Sequence, residues 1–260
     1  MALSKVTEVM ADIPMSVKLV GTTVVSGLVL TAAWKGLWTY LTYSKKVYPK
    51  DTIIIHQLGR GPCVPSLTPF AIKLETFFRM EGIPYVNEHN LLNTSRKTGK
   101  IPFMEYNGEE VPDSEFILEF LSKEKKFDLN RGLSPEQIGI GRAFQKMVEE
   151  NTYWCMVADR WILDDNCTVL REAGAPRILW PIYKSRLLKQ LHGQGIGRHP
   201  PEKIRHIMSE DLKALSNFLG SKKFFFGDKA CKFDCAIFGI LAELRWALFG
   251  GLESVIREYP

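Results

Sequence analysis

Pro102, Asp113 and Ser114 have the types and spacing to bind a peptide-like ligand. Pro102 opens an apolar, aromatic run that predicts a strand, although proline cannot donate a hydrogen bond to a sheet. A cis Ile101–Pro102 bond would explain this position, because only X–Pro bonds adopt cis at a tolerable cost. It would also expose the backbone N–H and C=O of Ile101. Asp113 and Ser114 open an apolar-periodic helix, whose backbone donors and dipole attract a carboxylate. The alternative for each is an ordinary strand start and an ordinary helix cap.

The elements that would hold these residues follow from the hydrophobic pattern. The sequence predicts a strand, a helix, a second strand, a hairpin and a helix, at Asp51–Leu58, Phe70–Glu81, Ile83–Glu88, Ile101–Val111 and from Ser114. The hairpin turns at Asn107-Gly108, a dipeptide typical of tight β-turns. This order predicts a thioredoxin-like α/β domain over residues 50–122, a small mixed sheet with helices packed on it.

The second half of the sequence predicts helices alone, forming an all-α domain over residues 133–260. Pro135 follows Ser134 at a favourable helix start. Helical stretches follow at Gly141–Leu163, Arg171–Leu191 and from Pro200. The glycine-rich run His192–Arg198 has no strand before it, so it does not fit a dinucleotide site and predicts a turn between helices.

An apolar segment, Leu19–Tyr43, precedes both domains and follows a polar tail over residues 1–18. As a helix its 25 residues would span about 37 Å, enough for a single transmembrane anchor. Aromatic residues crowd its C-terminal end, and lysines follow at once, so we expect the folded part to face the cytoplasm. The alternatives are a signal peptide cleaved near Ala32, a mitochondrial presequence and a buried core helix.

The composition excludes several classes of site. A net charge of +5 without a basic, aromatic-rich run gives no reason to expect nucleic-acid binding. No histidine or cysteine has the spacing of a metal-ligand pair, so we expect no metal. The five cysteines are scattered and odd in number, which fits a reducing compartment better than a disulfide framework, and they are Cys63, Cys155, Cys167, Cys231 and Cys235.

Several separated motifs resemble the glutathione transferase family. They are Ser66-Leu67-Thr68-Pro69-Phe70, Lys73-Leu74-Glu75, Gly82-Ile83-Pro84-Tyr85, Ile101-Pro102, Asp113-Ser114 and Gly227–Asp234. The last resembles the capping box of the helical domain, with Cys231 in place of its hydroxyl residue. Further strings, including Met147–Glu150, Tyr153-Trp154 and His192–Arg198, resemble the failed axon connections family and its metaxin-like relatives. That family continues beyond position 260, so we expect the helical domain to be truncated.

The resemblance implies roles for individual residues. The substrate-binding residues would be Lys100, Ile101, Pro102, Asp113 and Ser114. A hydroxyl at the start of the first helix would stabilise the thiolate of glutathione, with Thr68 the first candidate and Ser66 the second. Active enzymes carry Ser, Cys or Tyr where this chain has Thr68. The alternative for both hydroxyls is loop hydrogen bonding and helix capping. Cys63 begins a CxxS resembling that of monothiol glutaredoxins, but it lies early in the loop.

The resemblance implies a glutathione transferase-like protein that binds glutathione and could conjugate it to electrophiles, with a family link to axon development. The alternative is a non-catalytic, membrane-tethered interaction module of metaxin type, which Thr68 favours. The expected partners are glutathione and a membrane through residues 19–43, while homodimerisation is left open.

Overall fold

The computed structural model describes residues 46–61, 63–90, 93–164, 166–172, 176–246 and 253–259. The polar tail and the predicted anchor at residues 19–43 lie outside these ranges. Among the described residues, no helix combines the length and apolarity needed to cross a membrane. All elements described below belong to one compact unit, Lys50–Pro260.

The first half is the predicted mixed sheet with helices packed on it. Its elements are β1 Ile53–Gln57, α1 Pro69–Met80, β2 Val86–His89, β3 Phe103–Tyr106, β4 Glu109–Pro112 and α2 Ser114–Lys125. The sheet has four strands in the order β2-β1-β3-β4, with β1 parallel to β2 and the other neighbours antiparallel. This is the arrangement expected of a thioredoxin-like domain.

The core of this half lies between the sheet and the helices α1 and α2. Ile55 and Met104 on the sheet are fully buried against Leu74 on α1 and Leu118 on α2. The Asn107-Gly108 turn joins β3 to β4, and both of its residues have positive φ, as a tight hairpin requires.

The second half is helical throughout the part that the structure describes. Its α-helices are α3 Pro135–Met147, α4 Tyr153–Ala158, α5 Thr168–Glu172, α6 Trp180–Gln194, α7 Pro201–Leu219, α8 Lys232–Trp246 and α9 Glu253–Ile256. The start at Ser134 is confirmed: its side chain accepts the N–H of Gln137, and Gln137 bonds back in a complete capping box.

Two details depart from the sequence prediction. The stretch Gly141–Leu163 is not uniformly α-helical, because the π turns Val148–Thr152 and Asp159–Leu163 flank α4. The basic stretch from Arg171 is not one helix either. Pro176 has ψ 130°, outside the helical range, and α6 begins only at Trp180 after a 3-10 turn. A break at proline is expected, because its ring disfavours a helix that continues through it.

The two halves are joined most closely where α8 packs on α1. Gly239 permits this approach, because an added Cβ would lie 2.5 Å from the carbonyl oxygen of Pro69 and 3.2 Å from the backbone nitrogen of Lys73. The close contact fixes the start of α1, and therefore Thr68, against the helical half.

Candidate functional site

A cavity of about 440 Å³ lies between the two halves. Its volume falls within the roughly 300–1,000 Å³ range of small-molecule sites. We call it the cleft. From the first half it is lined by Thr68, Phe70, Thr98, Lys100, Ile101, Pro102, Asp113, Ser114 and Glu115. From the helical half it is lined by Lys146, Glu149, Glu150, Tyr153, Trp154, Leu187 and Gln190.

The structure brings together all but one of the residues predicted from the sequence. Lys100, Ile101, Pro102, Asp113 and Ser114 line the cleft with Thr68, although three separate segments supply them. The Ile101–Pro102 bond is cis, as the sequence predicts. Ser66 is the exception, since it is fully buried and does not line the cleft.

The two candidate hydroxyls have different surroundings. The Ser66 oxygen accepts the N–H of Thr68 at 3.3 Å, so it supports the loop rather than facing a ligand. Thr68 is the N-cap residue of α1, yet its side chain makes no capping hydrogen bond. Among the described residues the N–H of Phe70 also has no partner. The first turn of α1 therefore offers a hydroxyl and a backbone donor to the cleft.

Asp113 adopts an unusual backbone conformation at the other side of the cleft. It caps α2, accepting the N–H of Glu115 at 2.8 Å, with φ 72° and ψ 130°. A non-glycine residue with positive φ is strained, and such strain is concentrated at binding and active sites. Ser114 follows as the first residue of α2. A charged ligand group at this position would meet a carboxylate, a hydroxyl and a helix N-terminus.

A buried charge cluster joins this side of the cleft to the helical half. Lys73 on α1 is 1% exposed and donates to Glu115 and to Glu149, each at 2.7 Å. Lys232 donates to the second oxygen of Glu115 at 2.6 Å. Gln145 also donates to Glu115, at 2.7 Å. We refer to these five residues as the charge cluster.

The charge cluster sets the ionisation of Glu115. Burial would raise the pKa of the Glu115 carboxyl, but the charges and hydrogen bonds of Lys73 and Lys232 outweigh it and hold that pKa well below its usual range. Glu115 is therefore ionised at neutral pH. Since Glu115 follows Ser114 on α2, the cluster fixes the predicted binding segment to the wall of the cleft that Glu149 supplies.

The helical half adds an aromatic wall to the cleft. The ring of Tyr153 contacts Phe70 at 5.0 Å and Trp154 at 5.4 Å between centroids. Burial raises the pKa of the Tyr153 phenol, which therefore stays protonated at neutral pH. Such a wall suits an apolar or aromatic group next to the polar side of the cleft.

Sequence reasoning did not assign the residues of this wall or of the charge cluster to the site. Glu149 and Glu150 lie on the π turn after α3, and π turns often mark functional positions. The sequence signal that could have indicated them is a pair of adjacent acids, Glu149 and Glu150, followed closely by the aromatic pair Tyr153 and Trp154. The residues facing Lys73 are 42 and 76 positions away in the sequence, so no local pattern indicates them.

None of the cysteines lines the cleft. None of the five forms a disulfide, and Cys63 is exposed. Burial raises the pKa of the Cys155, Cys231 and Cys235 thiols to about 12, so these thiols stay protonated and unreactive. In the described ranges no three His, Cys, Asp or Glu residues are grouped to hold a metal ion.

Comparison with known proteins agrees with this architecture. The family model "Glutathione S-transferase N-terminal domain" matches residues 69–167, and "Glutathione S-transferase, C-terminal domain" matches residues 208–260. A rice glutathione transferase solved in complex with glutathione has a similar fold, with a TM-score of 0.51 over 81% of this chain and 85% of that one. Its sequence identity is 17%, so the likeness concerns the fold alone.

Three curated relatives indicate the branch of the superfamily to which the chain is most similar. Failed axon connections of Drosophila melanogaster is 32% identical over 83% of this chain, which spans only 55% of that protein's length. Isoprene-epoxide–glutathione S-transferase of Rhodococcus sp. (strain AD45) is 27% identical over 70% of this chain and 82% of its own. Metaxin-1 of Sus scrofa is 28% identical over 75% of this chain and 66% of its own. The chain therefore belongs to the glutathione transferase superfamily, as a metaxin-like member related to Failed axon connections.

Proposed function

We propose that the chain binds glutathione in the cleft and conjugates it to electrophiles. The observation that carries this proposal is the convergence of Thr68, Lys100, Pro102, Asp113 and Ser114 on one cavity of about 440 Å³. A scaffold that only bound other proteins would have no need to bring these residues to one cavity.

The polar side of the cleft suits the charged ends of glutathione. The γ-glutamyl end carries a carboxylate and an amine, which match the α2 N-terminus with Ser114 and the carboxylate of Asp113. The backbone of Ile101, which lines the cleft, would pair with the peptide, and Lys100 would meet the glycyl carboxylate. The fit is supported by the strained conformation of Asp113, which a capping role alone does not require.

Thiol activation would fall to the start of α1. A glutathione thiol placed near Thr68 would receive a hydrogen bond from its hydroxyl and the favourable potential of the helix N-terminus. Both stabilise the thiolate, which is the nucleophile in conjugation. Ser66 would act only through the backbone of Thr68, because it is fully buried and does not line the cleft. An electrophile would lie against the aromatic wall formed by Tyr153 and Trp154.

Isothermal titration of the full chain with glutathione tests binding. Asp113→Ala or Ser114→Ala should weaken the affinity at least about tenfold, because a hydrogen bond to a charged group contributes roughly 1.5–3 kcal/mol. Glu119→Ala, an exposed acid on the same helix, should leave it unchanged. Unchanged affinity in both cleft variants would contradict the proposal.

Conjugation is tested separately from binding. Thr68→Val keeps the shape of the side chain but removes the hydroxyl, so it should spare glutathione affinity and abolish turnover of a standard electrophile. Thr68→Ser should retain turnover, and retention of full activity by Thr68→Val would exclude the hydroxyl as the thiolate's donor.

A non-catalytic interaction module of metaxin type is the second candidate, favoured by the metaxin relatives and by Thr68 in the usual place of Ser, Cys or Tyr. Glutathione binding without conjugation of any electrophile would favour it.

In either case we propose that residues 19–43 tether the chain to a membrane as a single pass, with the folded part facing the cytoplasm. Resistance to carbonate extraction, lost on deletion of residues 1–43, tests the tether. The link to axon development rests on the relationship to Failed axon connections.

A further inference from the structure

The helix α6 has a long side that is largely exposed in the described structure. Of its 15 residues only Leu191 is buried. Apolar side chains are exposed along it: Ile182 is 65% exposed and Leu188 41%, and Ile178 in the preceding turn is 80% exposed. A single exposed apolar residue is ordinary, but several along one helix and its leading turn form an apolar surface that calls for a partner.

Basic residues share this surface. Arg186 and Lys189 lie on this side of α6, and neither makes an ion pair with a described residue. The whole segment 177–194 contains no acidic residue. Ile182, Arg186 and Lys189 are spaced i, i+4 and i+7, so apolar and cationic side chains point in one direction. We call the exposed side of α6, with Ile178, the α6 surface.

We propose that the α6 surface docks on an anionic lipid bilayer. A helix that lies in a membrane interface buries its apolar residues at the acyl boundary, while flanking lysines and arginines contact anionic headgroups. The α6 surface supplies both. A surface that binds a protein partner more often has a groove or a compact apolar patch at its centre. The α6 surface has instead an open, shallow and basic depression, lined by Pro181, Ile182, Ser185, Arg186 and Lys189.

The orientation of α6 gives this docking a consequence for the cleft. Leu187 and Gln190, on the inner side of the same helix, line the cleft. A bilayer against the α6 surface would therefore lie one helix diameter, about 10 Å, from the cleft wall. The docking itself does not depend on glutathione binding, and it is separate from the tether proposed for residues 19–43.

A fluorescent label on the α6 surface distinguishes docking from tethering. The full chain is reconstituted into vesicles of phosphatidylcholine alone or with phosphatidylserine. An environment-sensitive NBD label is placed at Ser185→Cys, in a chain whose accessible thiols are removed by Cys63→Ser and Cys167→Ser. A second protein carries the label at Glu119→Cys, an exposed position on α2, as the control.

The expected result is a rise in NBD emission and loss of quenching by aqueous iodide at position 185 only, and only with phosphatidylserine. Each cation near an anionic surface strengthens its binding about fivefold, so Arg186→Gln/Lys189→Gln should weaken the contact roughly 25-fold. Raised salt should weaken it as well. Removing the same charge elsewhere, through the two exposed lysines Lys123 and Lys229, should have little effect.

Two results would overturn the proposal. Equal iodide quenching at position 185 in both kinds of vesicle would mean that α6 does not touch the lipid. A rise in emission with protein concentration in detergent, without lipid, would make the α6 surface a contact between copies of the chain. Loss of glutathione binding in a cleft variant would leave the label signal unchanged, so failure here is separable from failure of the proposed function.

Discussion

Replacing Lys73 by Met should destabilise the protein more than any other single change in the cleft region. The Lys73 ammonium is 1% exposed and lies 2.7 Å from a carboxylate oxygen of Glu115 and 2.7 Å from one of Glu149. Met conserves most of the side-chain volume, so the change removes charge and hydrogen bonds rather than packing. It leaves two buried carboxylates facing each other. Glu115 keeps Lys232 and Gln145 as donors, and Glu149 keeps Gln145 and Lys146.

The magnitude follows from the burial of the pair. Removing one partner of a buried ion pair costs about 3–5 kcal/mol, because the carboxylates that stay buried lose a counter-ion and repel each other. In a unit of this size each kcal/mol lowers the Tm by about 2–4 °C, so the loss should amount to roughly 6–20 °C. Adding Glu149→Gln removes one of the two carboxylates that would then repel each other, and should recover part of the loss.

The effect should also depend on pH. The native pKa of Glu115 is depressed, so its ion pairs contribute stability that is fully present above the unfolded value near 4.5 and is lost as pH falls through the native pKa. Lys73→Met raises the native pKa of Glu115, which lets the carboxyl take up a proton more readily. The difference between wild type and variant should therefore be full near pH 7 and shrink below about pH 4.5.

Urea unfolding followed by tryptophan fluorescence, at neutral and acid pH, measures this difference. Lys123→Met, at an exposed position on α2, serves as the control and should change the free energy of unfolding by less than about 0.5 kcal/mol. If Lys73→Met were equally harmless at neutral pH, the charge cluster would not hold the two halves together.

Three further predictions concern the helical half. An added Cβ at Gly141 would overlap the Phe233 ring, so Gly141→Ala should lower the free energy of unfolding by about 1–3 kcal/mol. Gly139→Ala, on the same helix, meets nothing within 4 Å and should raise it by up to about 1 kcal/mol. Thermal unfolding of the two variants tests this difference. Asp234→Ala should cost about 1–2 kcal/mol in urea unfolding, since Asp234 accepts the backbone N–H of Cys231 at 2.9 Å, and a smaller loss would show that the cap is dispensable. The Cys231 thiol, buried and with its pKa raised to about 12, should resist a thiol reagent in the native protein and react only on unfolding; rapid native labelling would contradict its burial.

The sequence determined the features that depend on neighbouring residues. Ser134 and Gln137 form their capping box within a single turn, and the Asn107-Gly108 turn sets the hairpin. The same holds for the strand and helix order, and the resemblance carried by short motifs identified the superfamily. These signals are local, because periodicity, capping and turn chemistry act over a few residues.

The tertiary structure alone decided which side chains face one another. Thr68 and Ser66 are two positions apart and chemically alike, yet packing buries Ser66 completely and leaves Thr68 on the cleft. Glu115 accepts hydrogen bonds from Lys73 and Lys232, which are 42 and 117 positions away in the sequence. Which side of α6 is exposed likewise depends on the helices that pack against its other side. The physical reason is that burial and ion pairing depend on contacts between distant segments, and the close approach of α8 to α1 creates the low-dielectric region where those charges matter.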